Sequence, residues 1–215
     1  MIPQIAIQKL NPGNYYHIYN RGNNKEIIFK TPENYIHFLN LWKKFIHPVA
    51  ETFCYNLLPN HFHFFVRIRE QPLQISQVLK TFEILPKEVF PKPLEQHFSN
   101  LFNAYAKAIN KRFHRTGSLF QERFRRKEIN SVGYFTSIIG YIITNAAKHG
   151  FCTKAIDYPY SAYASLLSSK PTLLLRNEIF DWFGGKIVFI KYINAYEEDI
   201  DQGKWLFESE NDDAD

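Results

Sequence analysis

The segment Pro59-Asn60-His61-Phe62-His63-Phe64-Phe65-Val66-Arg67-Ile68-Arg69 constrains this chain more than any other. As a β-strand its side chains alternate between faces. Phe62, Phe64, Val66 and Ile68 then share one face, and His61, His63, Arg67 and Arg69 share the other, with Phe65 as its one apolar residue. A strand of this kind belongs to a sheet whose apolar face is covered by helices. On the polar face two imidazoles stand two residues apart, about 7 Å along the strand, close enough to converge on one metal ion. The spacing alone also suits an ordinary structural pair, so both readings stand at this point.

The neighbouring segments supply the rest of a sheet. Tyr15–Arg21 alternates and is rich in β-formers, and Glu51–Leu57 reads as a further strand. Thr31-Pro32 has the form of an N-cap followed by proline at the first helical position. Tyr35, Phe38, Leu39, Trp42, Phe45 and Ile46 then recur at helical spacing up to Pro48. A helical stretch is expected around Leu73–Phe82, followed by a loop broken by Pro86, Pro91 and Pro93. Glu95–Phe113 returns to helical spacing, Leu119–Asn130 reads as an extended strand, and Val132–His149 as a helix closed by Gly150. The order β-α-β-β-α-β-α predicts an α+β fold, a ferredoxin-like (RRM-like) antiparallel sheet with helices on one face and an added helix.

Charge separates along the chain. Residues 1–196 carry 25 bases and 12 acids, whereas Glu197–Asp215 holds nine acids and one lysine. Tyr105–Asn130 alone has eight Lys or Arg against two Glu. A basic body with an acidic tail points to a polyanionic partner such as nucleic acid, or to a solvated surface with a solubilising tail. With 45% hydrophobic residues there is enough apolar material for a core, which excludes wholesale disorder. Two cysteines, Cys54 and Cys152, are too few for a disulfide framework or a cysteine-based zinc site and suit a reducing cytosol. No apolar run reaches membrane-spanning length, and the N-terminus lacks the layout of a signal peptide, so a cytoplasmic protein with no membrane partner is expected.

Helix 132–149 carries Tyr141 and Asn145 one turn apart on one face, opposite an apolar stripe of Phe135, Ile139, Ile142 and Ala146 expected to pack inward. A carboxamide oxygen is a hard ligand suited to Mg2+ or Mn2+, and a phenol one turn away can attack a phosphate. Two ordinary helix residues would show the same spacing. Tyr134 shares that face but is about 16 Å from Asn145 along a helix, too far to share its metal.

With these segments in hand, the chain resembles the single-tyrosine HUH transposases of the IS200-like group, and more closely the REP-associated tyrosine transposases. The resemblance rests on Tyr16-His17-Ile18-Tyr19-Asn20-Arg21-Gly22-Asn23 with Ile28-Phe29, and on Leu58-Pro59-Asn60-His61-Phe62-His63. It extends through Gly117-Ser118-Leu119-Phe120-Gln121-Glu122-Arg123-Phe124, Tyr141-Ile142-Ile143-Thr144-Asn145 and Tyr158-Pro159-Tyr160-Ser161-Ala162-Tyr163. The five motifs stand in the family's order across residues 15–163. Two departures are visible: relatives usually have proline after the asparagine, where this chain has Ala146, and often tryptophan where it has Tyr160.

The resemblance implies a role for each matching position. His61 and His63 match the metal-binding histidines, Tyr141 the nucleophile that forms a 5′-phosphotyrosine link to cleaved single-stranded DNA, and Asn145 a helix-borne third ligand. The cofactor implied is a divalent metal, Mg2+ or Mn2+. The partner implied is single-stranded or hairpin DNA, in transposition or in processing of palindromic repeats. The family includes dimers and self-contained chains, which leaves a homodimer open. The catalytic domain is expected over residues 1–165. Residues 166–215 then form a helical appendage with an acidic tail expected to be disordered. Arg21, Arg67, Arg69, Arg115, Arg123, Arg125, Arg126 and Lys127 are the expected phosphate contacts. His17 is a rival metal ligand or a hydrogen-bonding histidine of the sheet surface. Two other functions are compatible with the same residues: a hairpin DNA- or RNA-binding module without catalysis, and a metal phosphoesterase that uses water as its nucleophile.

Overall fold

A computed structural model describes residues 8–73, 93–121 and 124–201. Four strands form one sheet in the order β2-β3-β1-β4, namely β1 (Tyr15–Arg21), β2 (Ala50–Leu58), β3 (His61–Ile68) and β4 (Arg125–Ile129). Every neighbouring pair is antiparallel. Helices α1 (Pro32–Phe45) and α2 (Leu94–Arg112) cover one face, and α3 (Val132–Lys148) lies on the other. This is the expected ferredoxin-like α+β arrangement with its added helix. Three further helices follow: α4 (Tyr163–Leu167), α5 (Arg176–Phe183) and α6 (Lys186–Asp201).

Local chemistry accounts for the element ends. Pro32 opens α1, and the Asn34 side chain turns back to accept hydrogen bonds from the backbone of Lys30 and Thr31, at 3.0 and 3.1 Å. Gly150, at φ +73°, takes the left-handed conformation that stops α3. The strand expected over Leu119–Asn130 is shorter than the sequence suggested. β4 pairs along Tyr15–Tyr19, and before it, among the described residues, the chain touches the sheet at a Gly22–Phe120 bridge. Most of the helix expected around Leu73–Phe82, and the tail beyond residue 201, lie outside the described residues.

Two apolar cores flank the sheet. On the α1–α2 side, Phe62 and Phe64 meet Phe38, Trp42, Phe98 and Phe102, with Trp42 stacked on Phe64 at 3.5 Å between ring centroids. On the α3 side the sheet face is divided. One end is aromatic: Tyr15, Phe53 and Phe65 gather around Phe135 of α3 and Trp182 of α5. The other end carries histidines.

Every residue of α3 from Ile138 to Ala146 is buried, because α6 covers the side turned away from the sheet. Gly140 permits that contact: a Cβ there would lie 2.8 Å from the Tyr196 ring and 3.0 Å from Tyr192. The expected division of α3 into an inward apolar stripe and a separate Tyr141–Asn145 face is therefore corrected. Phe135 and Tyr141 both face the sheet, the first against Phe65 and the second against His63.

Candidate active site

Strand pairing gathers the site. His61 and His63 point to the α3 side of β3, where register sets Arg21 opposite His61 and Tyr19 opposite His63 on β1. On β2, Asn56 stands opposite His63. Directly paired residues share a face, so these side chains converge from three strands. From above, α3 brings Tyr141 edge-on to both His63 and His17, with ring centroids 5.4 and 6.0 Å apart. One turn further on, the Asn145 Oδ1 lies 3.3 Å from the His61 Nε2.

Hydrogen bonds set the histidines. The His61 Nδ1 is 2.7 Å from the Asn60 Oδ1, the shorter of its two contacts with carboxamide oxygens, which favours the tautomer protonated at Nδ1 with its lone pair on Nε2. Burial, followed by the nearby His63 and His149, holds the His61 pKa well below the ordinary imidazole range. The ring is therefore neutral at physiological pH, the form a metal requires. In that tautomer the Nε2 lone pair faces the carboxamide oxygen of Asn145, while the buried Asn145 Nδ2 has no hydrogen-bond partner among the described residues.

Adjacent ligand atoms on an octahedral ion with bonds of about 2.1 Å lie about 3 Å apart, which the 3.3 Å separation approaches. Among the described residues, no group of three or more His, Cys, Asp and Glu has metal-site spacing. A cation here would thus depend on the Asn145 carboxamide beside the two imidazoles. Such a mixed imidazole and carboxamide donor set admits Mg2+, Mn2+ and other divalent ions.

His17 is buried, 2.9 Å from its Nε2 to the His63 Nδ1, and stacked between Tyr19 and His63. Of its two expected roles this geometry fits the hydrogen-bonding one. It orients the His63 ring through Nδ1 and leaves Nε2 for the site. Asn56 was not anticipated. Fully buried, it donates from Nδ2 to the carbonyls of Ile142 and Ile143 at 2.9 and 3.3 Å, tying the helix segment between Tyr141 and Asn145 to the sheet. No sequence motif marks it, because its place beside His63 follows only from strand register. Lys148 and His149 at the end of α3 also border the site, Lys148 Nζ at 5.5 Å from the Tyr141 ring and His149 at 5.2 Å from His61.

The expected phosphate contacts divide into two groups. Arg21, Arg125 and Lys127 project on the site's side of the sheet, since register pairs them with His61, Tyr19 and His17. Lys127 also lies over the Tyr134 ring, its Nζ 5.4 Å from the centroid. The others are engaged elsewhere. Arg67 bonds Glu51, Glu178 and Tyr15 at the aromatic end of the sheet, and Arg69 bonds Glu51 and the His47 carbonyl. Arg115 pairs with Glu26, and Arg126 lies on the opposite face within 3.7 Å of Glu95. Arg123 lies outside the described residues.

No protein-family model and no curated protein matches the chain. Among solved structures it is similar to a REP-associated tyrosine transposase bound to a REP hairpin. The TM-score is 0.54 and the identity 15%, over 76% of this chain and 86% of that one. At that identity the likeness establishes the shared fold. Among the described residues, no helix is long and apolar enough to cross a membrane.

Proposed function

We propose that the chain is a metal-dependent single-stranded DNA endonuclease and strand transferase, acting in DNA transposition or in processing of palindromic hairpin repeats. The observation that carries this reading is the placement of Tyr141 against His63, one helical turn from the Asn145–His61 contact. The fold shared with a hairpin-bound transposase supports it. All four side chains meet within one chain. Its place of action is the cytoplasm, with the DNA.

His61, His63 and Asn145 would hold Mg2+ or Mn2+, which when bound supplies positive charge to the scissile phosphate. The Tyr141 hydroxyl oxygen attacks phosphorus and loses its proton as the new oxygen–phosphorus bond forms. The bond from phosphorus to the 3′ oxygen breaks, and that oxygen leaves as a hydroxyl after taking up a proton. Bond energy is kept in the 5′-phosphotyrosine, so a later 3′-hydroxyl can rejoin the strand by the reverse steps. Arg21, Arg125, Lys127 and Lys148 line the approach and suit the DNA backbone. His17 and Asn56 orient the parts.

The test is to mix the protein with hairpin oligonucleotides from the DNA flanking its own gene, with Mg2+ or Mn2+, and look for a denaturant-stable adduct. Loss of the adduct in Tyr141→Phe and on chelation is the expected result. Cleavage that survives Tyr141→Phe would replace this reading with a phosphoesterase that uses water. Binding without cleavage would replace it with a non-catalytic nucleic-acid-binding module.

A further inference from the structure

Of the chain's 20 phenylalanines, 13 tyrosines and 3 tryptophans, Phe151 is the one that is exposed among the described residues, at 47%. The other described aromatic residues are buried or half-buried. Backbone geometry sets its position. Gly150 in the left-handed conformation ends α3, and the Gly150 and Phe151 N–H groups donate to the carbonyls of Ala147 and Ala146, each at 2.9 Å. The Phe151 ring lies 6.5 Å, between centroids, from buried Tyr158, whose hydroxyl donates to the Leu57 carbonyl at 2.7 Å.

That position is a corner of the candidate active site. His149, two residues before Phe151, has its ring 5.2 Å from that of His61. Leu58, which follows the residue that holds Tyr158, is paired with His61 across the sheet. Phe151 is thus tied to the His61 corner twice, through the end of α3 and through the end of β2.

The surroundings select a ligand. Residues 148–156 include Lys148, His149 and Lys154 and no acid. Lys148 lies over the Tyr141 ring, and Lys154 is exposed. The Glu197 carboxylate that reaches this loop is held by the Ala155 N–H at 2.5 Å. An open aromatic face among cations suits a nucleobase, which stacks on the ring while its phosphates meet the lysines. Such stacking accepts any base, because every base has a π face. A strand whose phosphate lies at Tyr141 has Lys148 beside that phosphate and the Phe151 ring three residues further along the chain.

We propose that Phe151 is a stacking platform for the unpaired base next to the scissile phosphate, with Lys148 and Lys154 at the phosphates of that nucleotide. The proposal rests on the DNA reading above and adds a contact that orients the strand at Tyr141 without reading its sequence.

The experiment measures binding by the full chain carrying Tyr141→Phe, which keeps the strand intact. The probes are a DNA hairpin with blunt ends and the same hairpin with single-stranded flanks. Phe151→Leu retains apolar contact with Tyr158 but has no flat face. It should weaken binding of the flanked hairpin roughly tenfold and leave the blunt hairpin unchanged. Phe151→Trp should keep the affinity for the flanked hairpin. A set of flanked probes then carries one abasic site each. One position, adjoining the phosphate at which the wild-type protein forms its adduct, should weaken the Phe151 protein by the same factor and the Leu variant no further. Equal binding of the flanked hairpin by the Phe151 and Leu proteins overturns the stacking proposal and leaves the DNA reading standing. So does an equal loss on both hairpins, which would make Phe151 a support of the fold, or a loss of self-association in place of a loss of DNA binding. Failure to bind either hairpin overturns the DNA reading and the stacking proposal with it.

Discussion

The two ends of the sheet face under α3 are built from the same strands and covered by the same helix, yet they differ in kind. At one end Tyr15, Phe53, Phe65, Phe135 and Trp182 pack ring against ring, with Arg67 closing the cluster through Glu51 and Glu178. At the other, His17, Asn56, His63 and Asn145 are all buried polar groups. Burying polar groups is unfavourable unless each finds a partner, so the histidine end is poorly suited to hold the helix. The aromatic end supplies the apolar contacts, Asn56 adds hydrogen bonds to the Ile142 and Ile143 carbonyls, and the buried polar cluster sits beside them under the helix. Phe65 and His63, two residues apart on one strand, mark the change from anchor to site.

If the aromatic end is the anchor, the largest stability loss should follow Phe135→Ala, about 3–5 kcal/mol by chemical denaturation. At temperatures where the variant stays folded, adduct formation should remain detectable, because the histidine end is untouched. An equal loss of activity and stability would mean that the two ends are not separable.

Asn56 sharpens the comparison from the other side. Asn56→Leu removes the donor to the Ile142 and Ile143 carbonyls and should lower stability by about 1–3 kcal/mol. It should slow adduct formation more than its stability loss explains, since it frees the turn between Tyr141 and Asn145. A variant as unstable as this but fully active would reduce Asn56 to a packing residue. Gly140→Ala tests the covering layer. Its Cβ meets Tyr196, and a destabilisation of about 1–3 kcal/mol is expected. A neutral effect would show that α6 can shift without moving α3.

The smallest effect lies away from both ends. His47 has a pKa lowered first by burial, then by Arg69 and Lys43, with Glu51 opposing. Below its unfolded value of about 6.5 the unfolded chain binds the proton more readily, so stability is full above that pH and declines as pH falls through it. His47→Gln should flatten this acid-side slope in urea titrations at successive pH values. An unchanged slope would assign it to other groups.

Much of this architecture is legible in residue order. The alternation of Phe62, Phe64 and Val66 against His61 and His63 defines both the strand and its faces, and Thr31-Pro32 marks the start of α1. What is not legible depends on partners distant in sequence. Arg67 reads as a phosphate contact until Glu178, on a helix beyond residue 170, is seen to hold it. The burial of α3 on nearly all sides depends on α6, so periodicity within α3 cannot assign its faces. Asn56 and the His17–His63 contact follow from register, which single strands do not encode. The one-turn spacing of Tyr141 and Asn145 is visible in sequence, whereas their meeting with His63 and His61 is a product of the fold.

The most direct test of the proposed chemistry is to form the DNA adduct, digest it, and map the nucleotide-bearing residue by mass spectrometry. The account predicts a single modified peptide with the nucleotide 5′-phosphate on Tyr141. A nucleotide on Tyr134, Tyr19 or any other residue would contradict it, as would cleaved DNA with no modified residue.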